Sequence, residues 1–203
     1  MTSRKVGIAI LAAGGSQRMG QPKQLLLFRE QTLLRHAVET AAASVCRPIV
    51  VVTGAHAELM SVELEALPVT VAYNTDWASG IGSSLRIAIR TLRAVDDVEG
   101  VVIALSDQPL VTAEALNRIV ETHYRTGKNI VASEYADTFG VPLFIGKRFF
   151  AEVAALAGDE GARRVMARHL EDMTTVPLIE AAFDVDTPVD YERLTSSSWR
   201  NVT

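Results

Sequence analysis

The sequence is poor in cysteine, with Cys46 the only one in 203 residues. A single thiol excludes an internal disulfide and a multi-cysteine zinc site. No apolar run approaches the roughly 20 residues that a membrane-spanning helix needs. The opening run 6–13 is only strand-sized and leads into glycines, so neither a signal peptide nor a span is expected, and a soluble cytoplasmic protein is. An excess of positive charge is also missing. Lys and Arg total 20, Asp and Glu total 24, and the formal net charge is -4. That balance argues against a broad, non-specific grip on nucleic acid or on an anionic membrane. Any phosphate must then be held by a local site. Internal repeats, low-complexity tracts and linkers are absent as well.

What is present is ordinary globular composition, 48% hydrophobic and 22% charged. A chain of this length buries around 70% of its unfolded surface and needs no metal or disulfide staple. Strand-length apolar runs alternate with stretches of helical period. Strands are expected at 6–11, 48–54, 69–73, 100–105 and 129–133, and helices at 32–44, 56–67, 82–93 and 112–124. The run Val101-Val102-Ile103-Ala104-Leu105 is apolar on consecutive residues, the pattern of a strand buried on both faces of a parallel sheet. The second half is less regular. It predicts a short strand at 141–145, helices at 147–156 and 160–169, and closing strands at 174–178 and 181–185. Thr187-Pro188-Val189-Asp190 opens a last helix, with Thr187 as cap and Asp190 at its third position. Alternating β and α units imply a single Rossmann-like α/β/α domain with a mostly parallel twisted sheet. In such sheets, ligands bind beyond the carboxyl ends of the strands. The loops of interest are therefore 12–23, 74–84, 106–110 and 184–188.

The first of these loops reads L-A-A-G-G-S-Q-R-M-G-Q-P-K-Q-L-L. It is neither a Walker A loop, since Gln21-Pro22 stand where Lys-Ser/Thr would, nor a G-x-G-x-x-G turn. Its small residues let backbone N–H groups approach an anion. Arg18 and Lys23 add two positive charges within the same loop. Asp107 follows the buried strand at the ligand edge of the sheet, where a carboxylate suits Mg²⁺; in isolation it would read as a helix-initiating or turn aspartate before Pro109, and the loop after the first strand favours the metal. Asp184 and Asp186 flank Val185 in an extended stretch, so both carboxylates point to one face. His36, His56, His123 and His169 show no ligand spacing and read as helix-surface residues.

The motif L-A-A-G-x-S-x-R-M-G-x-P-K-x-L-L resembles the opening motif of the MobA-like nucleoside-triphosphate transferases, most closely their molybdenum-cofactor cytidylyltransferase branch. The likeness runs along the whole chain. It includes N-x-x-W-x-x-G-x-x-x-S at Asn74, Trp77, Gly80 and Ser84, and D-Q-P at Asp107–Pro109. It continues with G-V-P-L-F from Gly140, G-D-x-G-A-R at Gly158–Arg163, and D-x-D-T-P at Asp184–Pro188.

That resemblance implies one nucleotidyltransferase domain over 1–203, of the nucleotide-diphospho-sugar transferase type. Its nucleotide-binding half would be about 1–110 and its acceptor half about 111–203. Such an enzyme moves a nucleoside monophosphate from an NTP to an acceptor phosphate and releases pyrophosphate. The chemistry needs positioning, charge neutralisation and Mg²⁺ more than a protein nucleophile. Leu11, Ala12, Ala13, Gly14, Gly15 and Ser16 would line the nucleotide. Arg18 and Lys23 would bind it too and, with Asp107, carry the catalytic roles. Asp107 and Asp186 would hold the metal, with Asp184 as the alternate. Asn74, Gly80 and Ser84 would line the base and ribose, or form a plain loop before an amphipathic helix. Trp77 would be a pocket wall or a core anchor. Arg163 and Arg164 would help an anionic acceptor or form a solvated helix face.

The guanylyl branch tends to carry L-A-G-G and R-M-G-x-D-K, whereas Ala13 and Pro22 here resemble the cytidylyl branch. CTP is the favoured donor and molybdopterin the implied acceptor, with a transient molybdoenzyme or chaperone partner. The alternatives are a sugar- or polyol-phosphate nucleotidyltransferase, a guanylyltransferase, and a non-catalytic molybdenum-cofactor chaperone.

Overall fold

The computed structural model describes residues 5–196, so the basic start of the chain and both ends of the expected 1–203 domain lie outside the described residues. The elements run in order β1 (Lys5–Leu11), β2 (Leu27–Phe28), β3 (Gln31–Thr32), α1 (Leu33–Ala43), β4 (Ile49–Thr53) and α2 (Ala57–Leu64). They continue with β5 (Thr70–Tyr73), α3 (Ile81–Arg93), β6 (Val98–Leu105), α4 (Ala113–Thr126), β7 (Ile130–Tyr135) and β8 (Thr138–Gly146). The last are α5 (Phe150–Ala154), α6 (Arg163–Arg168), β9 (Met173–Pro177) and α7 (Pro188–Thr195). Among the described residues, no helix is long and apolar enough to cross a membrane.

Seven strands form one sheet in the order β5-β4-β1-β6-β8-β7-β9. Only β8 runs antiparallel to its neighbours β6 and β7; the other pairings are parallel. This is the expected α/β domain with a mostly parallel sheet.

Side chains alternate between faces along each strand, and that period builds two cores. Ile8, Ile10, Ile49, Val51, Val102 and Ala104 join one core with Leu34 and Val38 of α1, Met60 of α2 and Ile119 of α4. Ala9, Leu11, Val50, Val52, Val101 and Ile103 join the other with Leu85, Ile89 and Leu92 of α3, Val153 of α5 and Val165 of α6. Each fully buried Ile or Leu contributes roughly 1.5–3 kcal/mol relative to exposure. Central strands with both faces covered explain why β1, β4 and β6 read as continuous apolar runs.

A third, smaller core sits above the carboxyl edge of the sheet. Met19, Leu26, Phe28 and Leu33 pack there with Val185 and Leu194. It joins the glycine-rich loop to the far end of the chain.

Two features depart from the sequence reading. The expected strand at 181–185 is a short 3-10 turn, Ile179–Ala182, followed by irregular chain. Its backbone groups are taken by other partners. Gln108 Nε2 donates to the Ala181 carbonyl at 2.9 Å, and the Val185 N–H donates to the Asp107 carbonyl at 2.9 Å. The hairpin of β2 and β3 had no Asn-Gly or Asp-Gly signal. Arg29 and Glu30 take positive φ of 50° and 68° at its turn, the region that the primed hairpin turns require.

Candidate active site

The carboxyl edge of the sheet receives the ends of β1, β4, β5, β6, β7 and β9. After β1 the chain enters the glycine-rich loop, and a side chain inside the loop shapes it. Gln24 is 1% exposed. Its Nε2 donates to the carbonyls of Ala12 (3.1 Å) and Gly14 (3.0 Å), and its Oε1 accepts from Ser16 Oγ at 3.2 Å. Ser16 Oγ in turn accepts from the Lys23 N–H at 3.1 Å. Ser16 and Gly20 adopt positive φ, 53° and 75°, which folds the loop back on itself. Gln24 stood at an unassigned position of the sequence motif. The available signal was a polar residue between Lys23 and two leucines.

Lys23 lies at the start of the turn Lys23–Leu25, and its side chain reaches two carboxylates. Nζ donates to Asp107 Oδ2 and, at 2.7 Å, to Asp186 Oδ1. Arg18 Nη2 donates to the other oxygen of Asp186 at 2.8 Å. The structure therefore brings together Arg18, Lys23, Asp107 and Asp186, which are up to 168 residues apart in sequence.

Three contacts explain this meeting. The Asp107 carbonyl and the Gln108 amide hold the 181–185 segment against the end of β6. Met19 and Val185 share the third core, so their neighbours Arg18 and Asp186 face each other. Finally, Thr187 and Asp190 form a capping box at α7, and Asp190 Oδ2 also accepts from the Asp186 N–H at 3.3 Å. The cap occupies Asp190 and leaves the Asp186 side chain for the cluster.

The cluster is electrostatically uneven. The Asp107 and Lys23 side chains are only 13% and 14% exposed, whereas Arg18 is 71% exposed. Burial alone would lower Lys23, but Asp107 and Asp186 outweigh it and hold the ammonium above its ordinary range. Partial burial would raise Asp186; Lys23 and then Arg18 overcome this and hold the carboxyl below the usual range. Asp184 differs. Withdrawal from water, followed by the charges of Asp107 and Asp186, pushes it up to about 6, although part of the residue stays exposed. One oxygen of the group, Asp107 Oδ1, is buried without a hydrogen-bond partner. Among the described residues, no three His, Cys, Asp or Glu side chains gather to hold a metal by themselves. Two carboxylates nevertheless match the habit of Mg²⁺, which takes one or two from protein and completes its shell with phosphate and water. The bare Asp107 oxygen and the shared cation position between the carboxylates fit such an ion.

Residues 8–173 match the MobA-like NTP transferase domain. The chain belongs to that family. Full-length relatives carry diverse names. This transferase is 31% identical over 91% of its length to 94% of the nicotine blue oxidoreductase of Paenarthrobacter nicotinovorans. It is 29% identical, over 90% of its length and 92% of the relative, to the purine catabolism protein PucB of Bacillus subtilis. The molybdenum cofactor cytidylyltransferase of Escherichia coli is 24% identical over 90% of this chain and 91% of its own. The crystal structure of Rv0371c from Mycobacterium tuberculosis superposes with a TM-score of 0.81 at 30% identity, covering 96% of this chain and 98% of that one. A manganese complex of Rv0371c gives 0.79 at 28% identity, covering 95% and 99%.

The other predicted residues of this NTP transferase are placed as follows. Leu11, Ala12 and Ala13 are buried at the end of β1, Gly14 is exposed, and Gly15 is half-buried. A Cβ on Gly15 would stand 3.1 Å from the Trp77 ring. Trp77 is thus half-buried against the loop and packs on the α3-side core. Asn74 is 1% exposed. Its Nδ2 donates to Ser83 Oγ (2.8 Å) and Ser84 Oγ (3.0 Å), and its Oδ1 accepts from the Asp76 N–H. Asn74 and Ser84 therefore bind each other and brace the 74–80 loop on α3. Gly80 has φ 106°, and a Cβ there would overlap the Gly158 carbonyl. That carbonyl accepts from the Gly82 N–H at 3.0 Å, so the G-D-x-G-A-R segment packs on the start of α3.

Arg163 and Arg164 separate in role. Arg163 Nη2 and the Tyr135 hydroxyl at the end of β7 lie side by side against Gly140, while Arg164 pairs with Glu160. Tyr135 carried no signal in the sequence. Three histidines are not the plain surface residues expected. His36 Nε2 bonds the Pro109 carbonyl at 2.9 Å beside the D-Q-P turn, His123 stacks on Phe144, and His169 pairs with Glu152.

Proposed function

We propose that this protein moves a nucleoside monophosphate from an NTP, with CTP as the favoured donor, to a phosphorylated acceptor of the molybdopterin type, releasing pyrophosphate. One observation carries the reading: Arg18, Lys23, Asp107 and Asp186 converge at the carboxyl edge beside a loop of small residues. In this reading, the loop 11–16 receives the nucleotide. Arg18 and Lys23 offset charge on the triphosphate and on the departing pyrophosphate. Asp107 and Asp186 would hold Mg²⁺, which would supply a Lewis acid on the α-phosphate and orient the leaving group. The acceptor phosphate oxygen attacks the α-phosphorus, the bond to the β-phosphate oxygen breaks, and no covalent protein intermediate forms. Tyr135 and Arg163 stand on the acceptor half of the same edge. Cytidine rather than guanosine rests on Ala13 and Pro22, which resemble the cytidylyl branch. The likeness to the E. coli cytidylyltransferase supports both donor and acceptor. The expected two-part division at about residue 110 remains part of this proposal.

The test is pyrophosphate release with CTP, GTP, ATP and UTP in the presence of Mg²⁺ and molybdopterin, with sugar phosphates as parallel acceptors. CTP and molybdopterin together should give turnover. Nucleotide or cofactor binding without turnover under every combination would favour a delivery chaperone. Asp107→Asn should abolish metal-dependent turnover while the protein stays folded, and normal activity would remove Asp107 from the metal site.

A further inference from the structure

We infer that Lys23 acts as a resident counter-ion that closes the two-carboxylate site and must leave it before a divalent cation enters. The inference rests on the metal role proposed above for Asp107 and Asp186, and concerns how that site is controlled. Lys23 Nζ bonds one oxygen from each aspartate. Both oxygens are thereby engaged, and neither is free for a divalent ion that Asp107 and Asp186 would hold. Only Asp107 Oδ1 is left without a partner, and one oxygen is too little to bind a divalent ion firmly. With Lys23 in place, one positive charge lies between the two carboxylates and offsets half of their charge, where Asp107 and Lys23 itself are mostly out of water. Without it they repel across a short distance and low dielectric.

Removing Lys23 from the carboxylates therefore requires another cation in the site and another anion for the lysine. A divalent ion provides the first. The polyphosphate of a nucleotide in the adjacent loop provides the second, because the Lys23 backbone is already anchored to Ser16 of that loop. Metal and polyphosphate then assist each other. Each makes room for the other, and by linkage the benefit is reciprocal. Arg18 does not share this role, since it is 71% exposed and touches only the outer oxygen of Asp186. The consequence is a site that keeps its metal affinity low until nucleotide arrives.

The test is Mn²⁺ binding to the nucleotide-free protein, followed by electron paramagnetic resonance, for wild type, Lys23→Met, Lys23→Gln and Asp107→Asn. Lys23→Met and Lys23→Gln should bind Mn²⁺ about tenfold more tightly than wild type, equivalent to about 1.4 kcal/mol. Equal or weaker binding in both variants overturns the inference. Asp107→Asn separates the two levels of the argument. If it loses Mn²⁺ while the Lys23 variants match wild type, only the counter-ion role fails. If it binds Mn²⁺ like wild type, the metal site fails, and this inference with it. Thermal unfolding gives a second readout should one Lys23 variant be fragile. The variants should melt lower than wild type without metal, and Mn²⁺ should raise their Tm by more than it raises that of wild type. An equal Mn²⁺ increment in all of them counts against the inference.

Discussion

Gln24→Leu removes a buried side chain that ties the glycine-rich loop together, with little change in volume. The change deletes two hydrogen bonds to the carbonyls of Ala12 and Gly14 and one from Ser16 Oγ. Gly14 is exposed, so water can replace its lost donor. Ala12 is 2% exposed, so its carbonyl loses a partner inside the protein. An unsatisfied buried group costs about 1–3 kcal/mol, and a lost hydrogen bond with water as substitute about 0.5–1.5 kcal/mol. The introduced leucine side chain recovers part of this by apolar burial. The expected net loss is about 2–3 kcal/mol, or roughly 4–12 °C in Tm for a chain of this size. Urea unfolding and a thermal scan measure it directly, with the exposed Gln17→Leu as the control. Nucleotide affinity should fall too, because the Ser16 link to the Lys23 backbone depends on the same clamp. A Gln24→Leu protein within about 0.5 kcal/mol of wild type would mean that the loop holds its shape by its backbone alone, and the reasoning would be wrong.

The raised Asp184 carboxyl predicts a pH signature. It ionises near 3.8 when unfolded and about 6 when folded. Between those values the folded state keeps a proton that the unfolded state has lost, so stability falls as pH rises through the window. Asp184→Asn should gain on the order of 1 kcal/mol above this window, after allowance for solvent screening, and converge with wild type below it. A difference that stays constant with pH would disprove the assignment. Gly80→Ala should cost about 2 kcal/mol or more, since positive φ and the Gly158 carbonyl both oppose a Cβ. Gly127→Ala, with φ 70° but open space, should lose only about 1 kcal/mol in the same urea titration. In turnover, Asp186→Asn should be impaired more than Asp184→Asn; the reverse ranking would make Asp184 the metal-binding partner of Asp107.

The parts legible in the sequence share a short range. The continuous apolar runs of β1, β4 and β6, the helical period of α1, α3 and α4, and the Thr187–Asp190 capping box each depend on residues within a few positions of one another. Chain geometry then dictates which faces they bury. Arg18, Lys23 and Asp107 could be singled out because charge appears where a buried strand ends. The strand expected at 181–185 failed for the opposite reason. Its backbone partners, Gln108 and Asp107, lie more than 70 residues away, and no local pattern announces them. Asn74 and Ser84 show the same limit, since residue type alone cannot separate a hydroxyl or amide that meets a ligand from one that braces its own loop.

By itself, the order of amino acids determined the layered α/β domain and the edge of the sheet where charge would collect. Only the tertiary structure decided that Lys23 sits between Asp107 and Asp186, because that arrangement needs Met19 and Val185 buried in one cluster and the 181–185 segment pinned to the end of β6. Burial and long-range hydrogen bonding are properties of the packed chain, and they have no period along it.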